Sequence, residues 1–357
     1  MKRQASESAT IQELVCPIPL QPNEQIVLGH GSGGRLMHRL IEGLFLPAFD
    51  NPVLRAGNDA GRVAIGNDTP MAVSTDSHVV WPLFFPGGDI GRLAVCGTVN
   101  DVSMLGADPR YLTASFILEE GVQTDLLRKV VESMQAAAAE AGVDIIAGDT
   151  KVVEKGKADG LYITTSGFGP ILPGSEIGGN KAQPGDRVIL SGTVGDHGIA
   201  VLSARGELGF TAQVRSDVAP LNQLVRAMLA ASDGIHVLRD PTRGGLATSL
   251  NEIARASQVG IVLEEGSIPV RPAVQSACEM LGFDPLYVAN EGKLIAIVEE
   301  QHTEIVMEAM RGERYGEEST IIGAVTDEPP GRVLMKTLIG SHRVVDELSG
   351  EMLPRIC

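Results

Sequence analysis

Apolar positions along this chain recur at two periods, about 3.6 and 2, and the succession of the two restarts once near the middle. The first pass opens with a glycine-rich stretch, Gly29-His30-Gly31-Ser32-Gly33-Gly34, followed by helical spacing over 36–45. Residues 62–66 and 71–75 alternate around Asn67-Asp68-Thr69 and read as a β-hairpin. Residues 89–105 read as a helix and 111–118 as a strand. Leu127, Val130, Val131, Met134 and Ala138 keep helical spacing over 125–141, with Thr124 as the expected N-cap. Strands are expected at 143–147 and 161–168. Pro170, Pro173 and Gly174, with Gly178-Gly179 close behind, mark a linker.

The second pass starts with a strand at 187–190 and a helix opened by Gly195-Asp196-His197-Gly198. It continues with a helix at 217–231, a strand at 235–238, a helix at 244–257 and a strand at 259–263. A helix at 271–281, strands at 286–289 and 293–298, a helix at 301–312 and a strand at 319–325 complete it. Hairpins interrupt the strand–helix alternation, which predicts an α+β fold rather than a doubly wound parallel sheet. Few periodic apolar positions follow residue 337. The expected organisation is an N-terminal extension (1–28), one domain over 29–172, a second over 173–336, and a mobile tail (337–357) able to reach a site on its own chain or on a partner.

Composition narrows the function classes. A chain of 357 residues accommodates two domains with their own cores. No apolar run reaches the ~20 residues that span a bilayer. Met1-Lys2-Arg3-Gln4 leads into a polar stretch without a signal-peptide core, so a cytoplasmic location and no membrane partner are expected. A net charge of −16 argues against nucleic acid and is compatible with carboxylates that hold a cation. Cysteines stand at 16, 96, 278 and 357, with no CxxC spacing, which argues for a reducing compartment and against a zinc site.

Four aspartates share one local context, the end of a strand beside small residues: Asp59, Asp76, Asp149 and Asp240. Each alone reads equally as a turn or cap residue. Together they suggest Mg²⁺ on nucleotide phosphates, because oxygen ligands that leave room for water suit that ion. The glycine stretch lacks the Gly-Lys-Ser/Thr ending of a P-loop; it is either a flexible turn or a lid whose backbone N–H groups close over phosphates. Asn100-Asp101 interrupts an apolar helix, facing either solvent or a closely approaching segment. Asn290-Glu291-Gly292 is a tight turn between apolar runs, and Glu291 would be a general base if desolvated. Lys151 is a surface lysine or a contact to transferring phosphate. The chain ends on Pro354-Arg355-Ile356-Cys357, a thiol with an adjacent carboxylate that disfavours thiolate. Cys357 is therefore expected to carry an activated group rather than to initiate attack.

These motifs resemble the HypE family of hydrogenase maturation factors. That family lies in the PurM-like superfamily of ATP-using enzymes, with aminoimidazole ribonucleotide synthetase, thiamine-monophosphate kinase and selenophosphate synthetase. The resemblance runs from about Leu28 to Cys357, and the Pro-Arg-Ile-Cys end is its specific part. It implies a two-domain PurM-like fold, whose N-terminal α/β domain dimerises through a shared β-barrel. It implies that Cys357 accepts a carbamoyl group from the carbamoyltransferase HypF and that ATP and Mg²⁺ drive its dehydration to a thiocyanate. The cyano group would pass to a HypC–HypD complex, for the iron of nickel–iron hydrogenase. Nucleotide contacts are expected at Gly31, Ser32, Gly33, Gly34, Asn100, Asp101, Thr150, Arg243, Gly244 and Gly245. Glu291 is the expected base, Lys151 the charge stabiliser and His78 a relay. Selenophosphate synthesis would require a reactive cysteine in the glycine loop, and residues 29–35 contain none. A small-metabolite kinase gives no role to a terminal thiol. A nucleotide-responsive scaffold that presents Cys357 remains the alternative outside enzymology.

Overall fold

The computed structural model describes residues 25–65, 69–206, 213–348, 353 and 355–357. The expected extension up to residue 24, the hairpin turn at 66–68, Cys16 and Pro354 lie outside them.

The N-terminal domain is one open five-stranded sheet with its helices against one face. Its strands are Gly61–Ile65 (β1), Thr69–His78 (β2), Tyr111–Glu119 (β3), Asp144–Val153 (β4) and Leu161–Pro170 (β5), in the order β1-β2-β5-β3-β4. All pairs are antiparallel except β3 with β4. The expected hairpin is β1–β2, in register Gly61 to Val73. Before it, helical turns run through Arg35–Leu40 (α1), a π-helical Ile41–Phe45 and Leu46–Phe49. Helix Ile90–Ser103 (α2) is apolar nearly all round and almost wholly buried, with Asp89 capping the N–H groups of Gly91 (2.7 Å) and Arg92 (3.2 Å). Helix Thr124–Ala141 (α3) buries only Val130, Met134, Ala137, Ala138 and Ala141, and stops at Gly142, whose φ of 72° suits the left-handed end of a helix. Thr124 is its first residue; the cap position is Gln123, which makes no capping bond.

The C-terminal domain carries a seven-stranded sheet. Its strands are Arg187–Leu190 (β6), Ile235–Arg239 (β7), Gly260–Glu264 (β8), Ile295–Val298 (β9), Thr320–Thr326 (β10), Arg332–Lys336 (β11) and His342–Val345 (β12), ordered β12-β11-β8-β10-β6-β9-β7. Its helices are Asp196–Ala204 (α4), Asn222–Ala231 (α5), Gly245–Ser257 (α6), Pro272–Leu281 (α7) and Thr303–Arg311 (α8). No helix among the described residues is long and apolar enough to cross a membrane.

Three expectations fail for tertiary reasons. Residues 217–221 do not start a helix. The Leu221 N–H is taken by Asn100 Oδ1 (2.8 Å) and the Ala219 N–H by the Glu291 carbonyl (3.3 Å). Residues 286–289 are not a strand but follow a 3₁₀ turn, Pro285–Tyr287, capped by Asp284 at the Leu286 N–H (3.0 Å). The segment after 337 is not a free tail throughout. Residues His342–Val345 form an antiparallel edge strand on β11, and Val345 is fully buried. The domains share core: α2 and its sheet pack with Val201, Val218, Ala289 and Ile356 from the other half of the chain.

Candidate active site

The cleft lies where the end of β2, the middle of α2 and the loop before α6 converge. It is lined by Asp59, Asp76, Asp101, Asp240, Arg239, Arg243, Glu291 and Cys357, among others, and encloses about 190 Å³. Alternation along β2 puts Ser74, Asp76 and His78 on the face against α2. Close approach there needs Gly97, because a Cβ would stand 3.2 Å from His78 Cε1 and 3.4 Å from Asp76 Oδ2.

Carboxylate oxygens of Asp59, Asp101 and Asp240 lie within 4.8 Å of one another. Burial, opposed by Arg239, holds Asp59 up to about 6. Burial and repulsion from Asp59 push Asp240 up to about 8. Burial and its three acidic neighbours raise Asp101 well above the usual carboxylate range, although Ser74 Oγ donates to it (2.7 Å). Three crowded, desolvated carboxylates with oxygen-only donors are a fitting cradle for Mg²⁺. Asp76 lines the same cleft outside that triad. Asp101, expected as a nucleotide contact, stands among the acidic ligands instead. Spacing held no clue, since Asp101 lies on a helix far in sequence from Asp59 and Asp240.

Glu291 is 4% exposed, and its Oε1 has no hydrogen-bond partner. Burial first, then Asp76, Asp240 and Asp217, raise its pKa well above the ordinary carboxylate range; Arg243 opposes them. Asp217 Oδ1 accepts the Glu291 N–H (3.0 Å) and holds the turn. Gly292 is obligatory there, because a Cβ would stand 1.8 Å from the Asp217 carbonyl. Neither ring nitrogen of buried His78 has a hydrogen-bond partner; Nε2 lies 3.7 Å from Asp76 Oδ2, and burial favours the neutral ring.

The glycine loop lies closed over this cleft. Arg243 donates to the Gly31 carbonyl (3.1 Å), and Gly33 (φ 80°) passes so close to Arg243 that a Cβ would meet its carbonyl at 2.8 Å. Gly34 abuts the Leu348 carbonyl, which also accepts the Arg35 N–H (3.1 Å). Gly244 and Gly245, both at positive φ, begin α6, whose first N–H groups suit an anion. Arg239 ties Asp59 (2.9 Å) to Glu252, which meets His38 of α1 (3.0 Å). Sequence reasoning passed over Arg239, Glu252 and Asp217, whose chain positions carry no special spacing.

The tail is docked inward. An α-carboxylate oxygen of Cys357 accepts the Val79 N–H (3.0 Å), and Ile356 is 5% exposed in the N-terminal core. Burial, reinforced by Glu291, Asp76 and Asp101 and opposed by Arg243, pushes the Cys357 thiol far above its usual value.

Four expected residues stand elsewhere. Asn100 is buried, but both ends of its amide are occupied, by the Ala219 carbonyl (3.0 Å) and the Leu221 N–H (2.8 Å). It braces the domains. Asp149, Thr150 and Lys151 lie exposed on the edge strand β4, with Lys151 Nζ paired to Asp149 (2.7 Å). Asp76 pairs with Thr165, Thr165 with Ala114, and Ser115 with Asp149, so three strand spacings, about 14 Å, separate them from the cleft.

Two family models match the chain, the N-terminal domain of AIR synthase related proteins over residues 57–171 and its C-terminal domain over 183–336. The carbamoyl dehydratase HypE of Cupriavidus necator is 56% identical over 333 residues, 93% of this chain and 95% of that protein. The chain belongs to the HypE family. Two solved HypE structures resemble it closely. One, a HypE in complex with ATP, is 52% identical, with a TM-score of 0.78 over 93% of this chain and all (100%) of that one. The other, from a HypE–HypF complex, is 51% identical, with a TM-score of 0.82 over 87% of this chain and 99% of that one.

Proposed function

We propose that this HypE family member is an ATP-dependent carbamoyl dehydratase that works on a carbamoyl group carried by its own Cys357. The observation that carries this reading is the docked tail, which places Cys357 in one cleft with Glu291, Arg243 and the acidic triad. The carbamoyl oxygen attacks the γ-phosphorus of ATP, ADP leaves, and the nitrogen gives up one proton. The resulting S-linked imidate phosphate then loses phosphate by C–O cleavage and a second N–H proton, leaving the thiocyanate. Both protons need a base beside the nitrogen, and Glu291 is the buried, unpartnered carboxylate there. Arg243, beside both Cys357 and Glu291, balances charge as the oxygen is phosphorylated. Asp59, Asp101 and Asp240 would hold Mg²⁺, which supplies charge neutralisation on the phosphates. The closed glycine loop and the start of α6 supply backbone N–H groups for those phosphates.

A second copy of the chain completes this reading. The edge strand β4 is unpaired on its outer side and exposes Ile146 (54%) and Val152 (66%). Tyr111 and Ile117 are exposed on the adjacent strand β3, and Val73 on β2 farther across the sheet. Open edges with apolar side chains favour pairing with another sheet. Closure of two such sheets into a shared barrel would cover them and carry Asp149, Thr150 and Lys151 of one protomer toward the cleft of the other. HypF, the partner in the solved complex of a relative, is the proposed carbamoyl donor; a HypC–HypD complex is the proposed acceptor of the cyano group.

The test is mass spectrometry of the C-terminal peptide after incubation with HypF, its carbamoyl donor and ATP. The expected product is a Cys357 adduct lighter than the carbamoyl form by one water. A carbamoyl adduct that persists while ATP is bound would favour the scaffold reading instead.

A further inference from the structure

The last residues of the tail are held through side chains and backbone alike: Arg355 Nε donates to the Val79 carbonyl (3.2 Å), its guanidinium pairs with Asp159, and the Ile356 side chain is buried. The Arg355 carbonyl accepts from the Trp81 N–H (3.2 Å) and from Arg205 (3.0 Å). An α-carboxylate oxygen of Cys357 accepts the Val79 N–H (3.0 Å), so both face residues 79–81. The Ile356 carbonyl between them points the other way, to His197 Nε2 at 2.8 Å. His197, near the start of α4, is fully buried (0% exposed) and meets the Phe85 ring edge to face, with centroids 5.4 Å apart.

Hydrogen-bond direction determines what this histidine does. The Ile356 carbonyl can only accept, so Nε2 carries the proton; burial favours the neutral ring, so Nδ1 accepts from the Ser216 hydroxyl (2.8 Å), whose Oγ in turn accepts the Val218 N–H (3.1 Å). The chain therefore runs one way, from the Val218 N–H through Ser216 and His197 to the Ile356 carbonyl. Ser216 cannot drift, because its N–H is bonded to the Pro86 carbonyl (2.7 Å) and it abuts Gly87, where a Cβ would stand 2.7 Å away. The tail, by contrast, is strained. Arg355 has φ 54°, a left-handed conformation that a non-glycine residue keeps only when its surroundings impose it.

We propose that His197, oriented by Ser216, is the positioning residue that pins the tail register, so that Cys357 rather than a neighbour enters the cleft. The pin reads a main-chain carbonyl. It is therefore indifferent to what the Cys357 sulfur carries and can hold thiol, thiocarbamate and thiocyanate alike. Its consequence for reaction rests on the dehydratase reading above; its consequence for thiol exposure does not.

The experiment uses the full chain with His197→Phe, which keeps an aromatic ring against Phe85 but removes the donor, and His197→Gln, which restores an N–H near Nε2. The first readout is the rate at which iodoacetamide alkylates Cys357, followed on the C-terminal peptide. Alkylation is expected to be about 10- to 100-fold faster in His197→Phe and within about threefold of the unsubstituted protein in His197→Gln. The second is single-turnover dehydration of pre-carbamoylated protein. It should slow by a similar factor in His197→Phe, with ATP affinity unchanged. A folded His197→Phe protein whose thiol stays as protected as in the unsubstituted chain overturns the pin. So does a His197→Gln protein as exposed as His197→Phe. Faster alkylation with no dehydration in any version would leave the pin standing and overturn the dehydratase reading.

Discussion

Two regions of this molecule carry the same kinds of residue, an aspartate with a basic neighbour, Asp240 just after a strand and Asp149 within the edge strand rather than at its expected end, and they differ in almost every physical property. In the cleft, Asp240 is 6% exposed, and burial together with the neighbouring carboxylates raises its pKa to about 8. On β4, Asp149 is exposed, bonded to Lys151 and to the Thr150 N–H, and its pKa is lowered by them. Burial and like-charge crowding, rather than residue type, turn an aspartate into a cation-seeking ligand. An exposed, paired aspartate is satisfied already. The second region acquires chemistry only if another surface desolvates it.

The largest expected effect lies at the cleft. Cys357→Ser should abolish substrate-dependent ATP turnover and leave nucleotide binding intact, measured by ADP release and by calorimetry; turnover that survives would remove the carrier role. Glu291→Gln should slow single-turnover dehydration by about 100- to 10,000-fold, with carbamoylation by HypF unaffected. The two regions become one site if they meet across a dimer. Lys151→Ala alone should then cost about 100-fold, yet co-expressed Lys151→Ala and Glu291→Gln chains should recover about a quarter of the activity, because mixed dimers hold one intact site. No recovery would leave β4 out of the chemistry. Asp240→Asn should raise the Mg²⁺ needed for half-maximal activity by at least about tenfold, read from a metal titration.

The smallest effect concerns the clamp behind the cleft. Hydrogen bonds to Glu252 and Glu347 raise His38 from 6.5 to about 10. A raised histidine contributes stability in full below its unfolded value and loses it as pH climbs through the folded one. His38→Gln should therefore lower the melting temperature by about 1–3 °C at pH 6, with the difference closing above pH 10.

The element pattern was legible where local signals agree with the fold. The β1–β2 hairpin, α2, α3 and the strand–helix succession of the second domain all follow period, cap and glycine signals. It failed where a distant residue captured the backbone. Asn100 and Glu291 hold 219–221 out of a helix, and β11 recruits 342–345 into a sheet although that segment shows little periodicity of its own. Among the site residues, Asp59, Asp76, Asp240, Glu291, Arg243, the glycine loop and Cys357 converge as their local contexts suggested. Asp149, Thr150 and Lys151 share that context and do not converge within one chain.

The sequence by itself determined the two-domain α+β plan, the acidic strand ends and a thiol poorly suited to self-activation, because these depend on local period, residue type and immediate neighbours. Only the tertiary structure decided which carboxylates crowd together, that Asn100 braces rather than binds, and that the tail turns inward with Ile356 buried and Cys357 facing Glu291 and Arg243. Those outcomes depend on desolvation and on hydrogen bonds between residues more than a hundred positions apart, such as His197 with Ile356, and no local spacing encodes them.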